Sequence, residues 1–168
     1  MTAVIGFDRE QLESLVNSTE GVVIANDNSS AQVVISGNPE AVKNVSEQLT
    51  CKRAIPLAVS GAFHSPLMAE AAAAFKDHLE GLPFEDARVP VLSNTDPTPC
   101  SDAGQLKQRL SQQMTTGVRW RETMETLTSA GVDTLIEVGP GKVLSGLAKR
   151  SMTGVTTAQL SSSADLGL

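Results

Sequence analysis

The stretch Val22-Val23-Ile24-Ala25-Asn26-Asp27-Asn28-Ser29-Ser30-Ala31-Gln32-Val33-Val34-Ile35 decides how the fold is read. Two β-branched runs, at 22–25 and 33–35, flank the polar segment Asn26 to Ser30, which predicts two strands joined by a hairpin turn. Upstream, Ala3-Val4-Ile5-Gly6 is a short apolar run, and Arg9 to Val16 puts Leu12, Leu15 and Val16 on one helical face. Downstream, Pro39 suits a first helical turn, Val42, Val45 and Leu49 follow at helical spacing, and Arg53 to Val59 supplies another strand. The order β-α-β-β-α-β predicts a ferredoxin-like subdomain over residues 1–59, with helices on one face of an antiparallel sheet.

From residue 60 to 168 the pattern changes. A long Ala-rich helix is expected from Ser65 to about Leu82, a buried strand at Val89 to Ser93, and helices at Asp102 to Met114 and Arg121 to Ala130. Thr134 to Val138 reads as a strand, Gly139-Pro140-Gly141 as a turn, Lys142 to Lys149 as a helix, and Ser161 to Ser163 as a soft tail. Strands alternating with helices imply a parallel α/β arrangement. Two or three strands are few for a parallel sheet covered on both faces, so this segment reads as part of a larger α/β domain.

Composition narrows the function. With 40% hydrophobic and 19% charged residues the chain reads as a soluble globular protein. A formal charge of −6 at pH 7 argues against nucleic-acid and anionic-membrane partners, which need a concentrated basic surface. Cys51 and Cys100 make no metal-ligand spacing and read as reduced thiols. No signal segment or membrane span is expected.

His64 lies in Ser60-Gly61-Ala62-Phe63-His64-Ser65-Pro66-Leu67-Met68, where a strand ends and a helix opens with Ser65 as cap and Pro66 at its first position. Imidazole can take a proton from a hydroxyl nucleophile and return it to a leaving thiolate. The residue types alone leave both a catalytic base and a solvated loop histidine open. His78, beside Lys76, Asp77 and Glu80, reads as part of a solvated helix face. Gly139-Pro140-Gly141-Lys142 lacks the spacing of a phosphate-binding loop.

The segment Gly61 to Met68 resembles the histidine motif of malonyl-CoA:acyl carrier protein transacylases and of related polyketide acyltransferase domains. Asn26 to Gly37 is similar to the family's asparagine loop and following strand. Gln112-Gln113-Met114 through Val118-Arg119-Trp120 resembles its glutamine segment, and Glu137 to Leu144 its terminal strand-turn-helix. The resemblance spans about residues 1–150 and implies, for residues 60–168, the carboxy-terminal part of an α/β-hydrolase-like acyltransferase domain.

It further implies a ping-pong malonyl transfer from coenzyme A, through a seryl ester, to the phosphopantetheine thiol of acyl carrier protein, without a cofactor or metal. His64 would be general base and acid, and the backbone carbonyl of Gln113 would fix its tautomer; read locally, Gln113 is a helix-end polar residue. Asn28 maps close to the family's active site, or is simply a turn residue. Phe63 would fill the space that an α-methyl group needs, with a core phenylalanine as the competing reading. Lys52-Arg53 and Lys149-Arg150 would face the acidic carrier protein, though surface basic residues often serve solubility alone.

The chain departs from the family's pattern: no Gly-x-Ser-x-Gly elbow occurs in it, and the family's malonyl-binding arginine and amino-terminal oxyanion-hole glutamine have no counterpart. Met1 aligns with the family's interior, so the serine, the malonyl-binding arginine and an oxyanion-hole glutamine are expected upstream of these residues. The chain by itself is expected to be inactive and to expose apolar surface. The complete enzyme is expected to be a monomer of a bacterial cytoplasm or a plastid stroma. Competing readings are an acyltransferase domain of a polyketide synthase and a non-catalytic carrier-protein-binding module.

Overall fold

A computed structural model describes residues 1–166, which divide into two compact units, one of Met1–Trp120 and one from Arg121 onward. In the first unit, β1 (Thr2–Phe7), α1 (Arg9–Ser18), β2 (Val22–Ser29), β3 (Gln32–Gly37), α2 (Pro39–Gln48) and β4 (Cys51–Pro56) follow in the expected ferredoxin-like order. Their sheet runs β2-β3-β1-β4, antiparallel at every pairing. Val4, Val22, Val33 and Ile35 from the strands meet Leu12, Val42, Val45 and Leu49 from the helix side to form the core. Both helices start on side-chain caps: Asp8 accepts from the Gln11 N–H at 2.8 Å, and Asn38 from the Glu40 N–H at 2.9 Å with Pro39 following. These caps satisfy backbone donors that the first helical turn leaves without partners.

The hairpin is tighter than its polar residues suggest. β2 continues to Ser29, so only Ser30 and Ala31 turn, and two register shifts, between Ile24 and Asn26 and between Asp27 and Ser29, absorb the polar run as bulges. The outer edge of β2 takes up a later part of the chain. Val118 N–H donates to the Ala25 carbonyl and Asp27 N–H to the Val118 carbonyl, both at 2.8 Å. This approach requires Gly117, since a Cβ there would stand 2.8 Å from the Ile24 carbonyl oxygen. That pairing joins residues beyond 59 to the ferredoxin-like sheet, and the compact unit accordingly extends to Trp120.

Between β4 and Trp120 lie a single 3₁₀ turn (Pro66–Met68), α3 (Ala69–Glu80) and α4 (Ala103–Gln112). The expected helix from Ser65 thus begins as a tighter turn before becoming α-helical. The expected strand at Val89 to Ser93 is not one: Val91 makes one isolated bridge to Cys100, and Val89 is 67% exposed rather than buried. Pro90 offers no N–H to a ladder, which accounts for the irregular path.

In the second unit, α5 (Trp120–Ser129) opens at the boundary, followed by β5 (Thr134–Val138), α6 (Val143–Ser151), β6 (Thr156–Leu160) and a 3₁₀ turn (Ser163–Leu166). β5 and β6 pair in parallel across the α6 crossover, as a βαβ unit requires. β6 lies where the sequence suggested only the approach to a polar tail. No helix of the described residues is long and apolar enough to cross a membrane.

Candidate active site

His64 sits on the loop between β4 and the 3₁₀ turn and adopts φ 59°, the one positive φ at a non-glycine among the described residues. Left-handed backbone is uncommon for a residue with a Cβ and persists where neighbours over-determine it. Ser65 does so here. Its side chain is almost fully buried; its hydroxyl donates to the Ala62 carbonyl at 2.6 Å and accepts from the Leu67 N–H at 3.3 Å. One side chain therefore closes the loop before His64 and caps the turn after it.

The imidazole is half-buried, and its Nδ1 lies 2.8 Å from the backbone carbonyl oxygen of Gln113. A carbonyl can only accept, so this contact puts the proton on Nδ1 and leaves the Nε2 lone pair as the basic site. The Gln113 side-chain amide also meets Nδ1, at 3.1 Å. A nitrogen that already donates to a carbonyl is best met by the amide oxygen, which occupies the same place when the amide is turned end for end. Both oxygens of Gln113 then face one N–H.

The Gln113 carbonyl is available because of how α4 ends. Gln113 N–H bonds to the Leu110 carbonyl at 3.2 Å, a tighter step than the α-helical one, and the Thr115 and Thr116 N–H groups both use the Gln112 carbonyl. The turn thus passes over the Gln113 oxygen, which is left for His64.

The other expected residues stand as follows. Phe63 is 37% exposed in this chain, and its ring lies over Gly61, where a Cβ would come to 3.4 Å from it. Asn28 is half-buried at the end of β2, a strand position rather than a turn, next to Asp27, which binds Arg9 through two contacts of 2.9 and 3.2 Å. No side-chain hydrogen bond joins Asn28 to His64 among the described residues. Lys52 and Arg53 are exposed on the edge strand β4, and Lys149 and Arg150 are exposed in the last turn of α6. A group of His, Cys, Asp and Glu side chains that could hold a metal ion is absent among the described residues.

A polar cluster not anticipated from the sequence lies one helical turn before the glutamine. Arg109, on α4, pairs with Asp96 at 2.8 Å and donates to the Thr98 carbonyl at 2.7 Å and the Thr98 hydroxyl at 3.0 Å. Two hydrogen bonds from Thr98, through its hydroxyl and its N–H, hold the Asp96 carboxyl below its ordinary range, with Arg109 and Arg119 adding to the effect. The signal available in the sequence was Asp96-Pro97-Thr98, a turn in which an aspartate binds the backbone two residues on.

A half-buried loop histidine held at Nδ1 by a backbone carbonyl, in a unit built on a ferredoxin-like sheet, has the makings of a general base. The chain matches the acyl transferase domain family over residues 1–164 and belongs to that family. Two of its relatives are malonyl CoA-acyl carrier protein transacylases. The malonyl CoA-acyl carrier protein transacylase of Synechocystis sp. is 50% identical over 151 residues, covering 90% of this chain and 52% of the relative. The Bacillus subtilis transacylase is 43% identical over 157 residues, covering 89% and 50%. The chain thus spans about half the length of the curated relatives it matches.

Among solved structures, the Synechocystis malonyl-CoA:ACP transacylase superposes with a TM-score of 0.94 at 46% identity, covering 99% of this chain and 57% of that one. A type II PKS acyl-carrier protein in complex with its malonyl-transacylase gives 0.89 at 36% identity, covering 98% and 55%.

Proposed function

We propose that this chain carries the histidine half of a serine–histidine transacylase site, which moves malonyl from coenzyme A to the phosphopantetheine thiol of acyl carrier protein in fatty-acid synthesis. The serine is supplied by the part of the acyl transferase domain outside these 168 residues. As it attacks the malonyl thioester, its proton passes to Nε2 of His64. The tetrahedral adduct collapses with loss of the C–S bond, and His64 returns the proton to the departing coenzyme A thiolate. The carrier thiol then gives its proton to His64 and attacks the seryl ester, and the serine leaves with that proton. Nucleophile, base and thioester suffice, so no cofactor enters.

The observation that carries this reading is the 2.8 Å contact between Nδ1 of His64 and the Gln113 carbonyl, which leaves Nε2 as the basic nitrogen and stabilises the imidazolium formed at each step. Phe63, exposed beside His64, borders the acyl site and disfavours an α-methyl substituent. Asn28 lines the same site. Lys52, Arg53, Lys149 and Arg150 meet the acidic carrier protein; the carrier-protein complex of a relative supports a docking face on this kind of domain. The ferredoxin-like subdomain ends at residue 59, and 60–168 belong to the larger acyltransferase subdomain. The complete enzyme works as a monomer in a bacterial cytoplasm or plastid stroma, and this chain alone is inactive.

The test is transfer of radiolabelled malonyl from coenzyme A to carrier protein by this chain, with and without a complementing amino-terminal half of the domain. Activity only with the complement, and lost in His64→Ala, is expected. Transfer by the chain alone would mean that one of its own serines is the nucleophile and would overturn the reading.

A further inference from the structure

The ion pair of Arg109 with Asp96 ties α4 to the loop at residues 93–98. The Arg109 side chain is only 12% exposed. Its guanidinium reaches the Asp96 carboxylate, the Thr98 carbonyl and the Thr98 hydroxyl, with a longer contact of 3.4 Å to the Asp96 carbonyl. Its own backbone is held too. The tightened last step of α4 sends the Gln113 N–H to Leu110, and the Arg109 carbonyl instead accepts from the hydroxyl of buried Thr95 at 3.4 Å.

The loop that Arg109 grips is itself stiff. Ser93 and Asp96 exchange backbone hydrogen bonds of 3.1 and 3.2 Å, and the Asn94 carbonyl takes the Arg119 N–H at 2.8 Å, one residue past the pairing of Val118 with β2. The end of α4 is therefore fixed on one side through Arg109 to the 93–98 loop, and on the other through residues 117–119 to the sheet. Gln113 lies between these two anchors, one turn beyond Arg109.

We propose that Arg109 is a positioning residue for His64: by clasping the end of α4 onto the 93–98 loop it sets where the Gln113 carbonyl lies and hence which nitrogen of His64 carries the proton. This rests on the reading of His64 as the base. A planar fork that makes several directed bonds fixes orientation in a way that a point charge does not, so lysine replaces it incompletely. Misplacing a carbonyl by a fraction of an ångström weakens a hydrogen bond that depends on its angle.

The chain contains two histidines, and His78 is exposed on α3, so it provides an internal reference. The experiment is ¹⁵N-histidine labelling of this chain, with ring-nitrogen tautomers read from long-range ¹H–¹⁵N spectra at about pH 8, above the ordinary histidine range. The expected wild-type result is His64 with the Nδ1–H form in excess by about tenfold, the worth of one good hydrogen bond. In Arg109→Gln that excess falls to about twofold, and Arg109→Lys falls between the two. Val42→Ala, which destabilises the distant core, leaves the ratio unchanged.

An unchanged tautomer ratio in folded Arg109→Gln overturns the proposal. A wild-type chain without the Nδ1–H excess instead overturns the reading of His64 and Gln113, a separate failure. If Arg109→Gln does not give a folded spectrum, Asp96→Asn carries the same readout, because it keeps the side-chain shape and removes the charge that Arg109 grips; no change there also overturns the proposal.

Discussion

His64 is held in left-handed backbone at a cost of about 1–3 kcal/mol, which the residues around it must offset. Ser65 offers one compensation, through its bonds to the Ala62 carbonyl and the Leu67 N–H. Ser65→Ala is expected to lower unfolding free energy by about 1–2 kcal/mol, measured by urea denaturation, because the half-buried Ala62 carbonyl loses its partner. A change below about 0.5 kcal/mol would mean that water or a relaxed loop takes over both bonds. The capping role of Ser65 was legible from Ser65-Pro66 alone, since that pair has one local meaning. The bond from His64 to Gln113 spans 49 residues, and nothing in either neighbourhood specifies it. It became an expectation only through resemblance to a family.

At the scale of elements, the junction of β5 with α6 is closed by one carboxylate. Lys142 precedes α6 and supplies no side-chain cap; Glu137, from β5, instead accepts from the Leu144 N–H at 3.1 Å and the Ser145 N–H at 2.8 Å. Hydrogen bonds from Ser145, side chain first and then backbone, hold the Glu137 carboxyl below its ordinary range, against a small opposing effect of burial. A carboxyl lowered in the folded state contributes stability that is fully present above its unfolded value, about pH 4.5, and is lost as pH falls through the lower folded value. In urea titrations over a pH series, Glu137→Gln should be less stable than wild type near neutrality, the gap closing as the carboxylate range is crossed. A gap that does not depend on pH would show that the cap works without its charge. Asp96 and Asp165 are lowered as well and steepen the acid limb of both proteins alike, so the difference isolates Glu137. The two helices of the ferredoxin-like sheet were readable from the spacing of Leu12, Leu15 and Val16 and from Pro39 with Val42, Val45 and Leu49. The path of residues 83–99 was not, because the β-branched residues there resemble a strand until Pro90 and the lack of a neighbouring strand are taken into account.

For the molecule as a whole, the second unit presents a parallel sheet of two strands, although parallel sheets are normally covered on both faces. Ile136 is 61% exposed, Val138 75% and Val143 69%, an apolar patch that a stable monomer rarely leaves open. The isolated chain is expected to bind a hydrophobic dye and to associate in a concentration-dependent way, read by fluorescence and light scattering, with both signals falling when a complementing amino-terminal half is added. A monodisperse monomer that binds no dye would count against the view that another part of the domain covers this face. The sequence by itself determined the ferredoxin-like order of the first 59 residues and the family, because periodicity and motifs act over a few residues and are written where they act. Only the tertiary structure decided that β2 extends through its polar run, that Gly117 lets Val118 pair beside Ala25, and that Arg109 grips the loop behind Gln113. Those outcomes depend on hydrogen-bond partners brought together across long stretches of chain, and backbone donors and acceptors look the same at every position of a sequence until the fold pairs them.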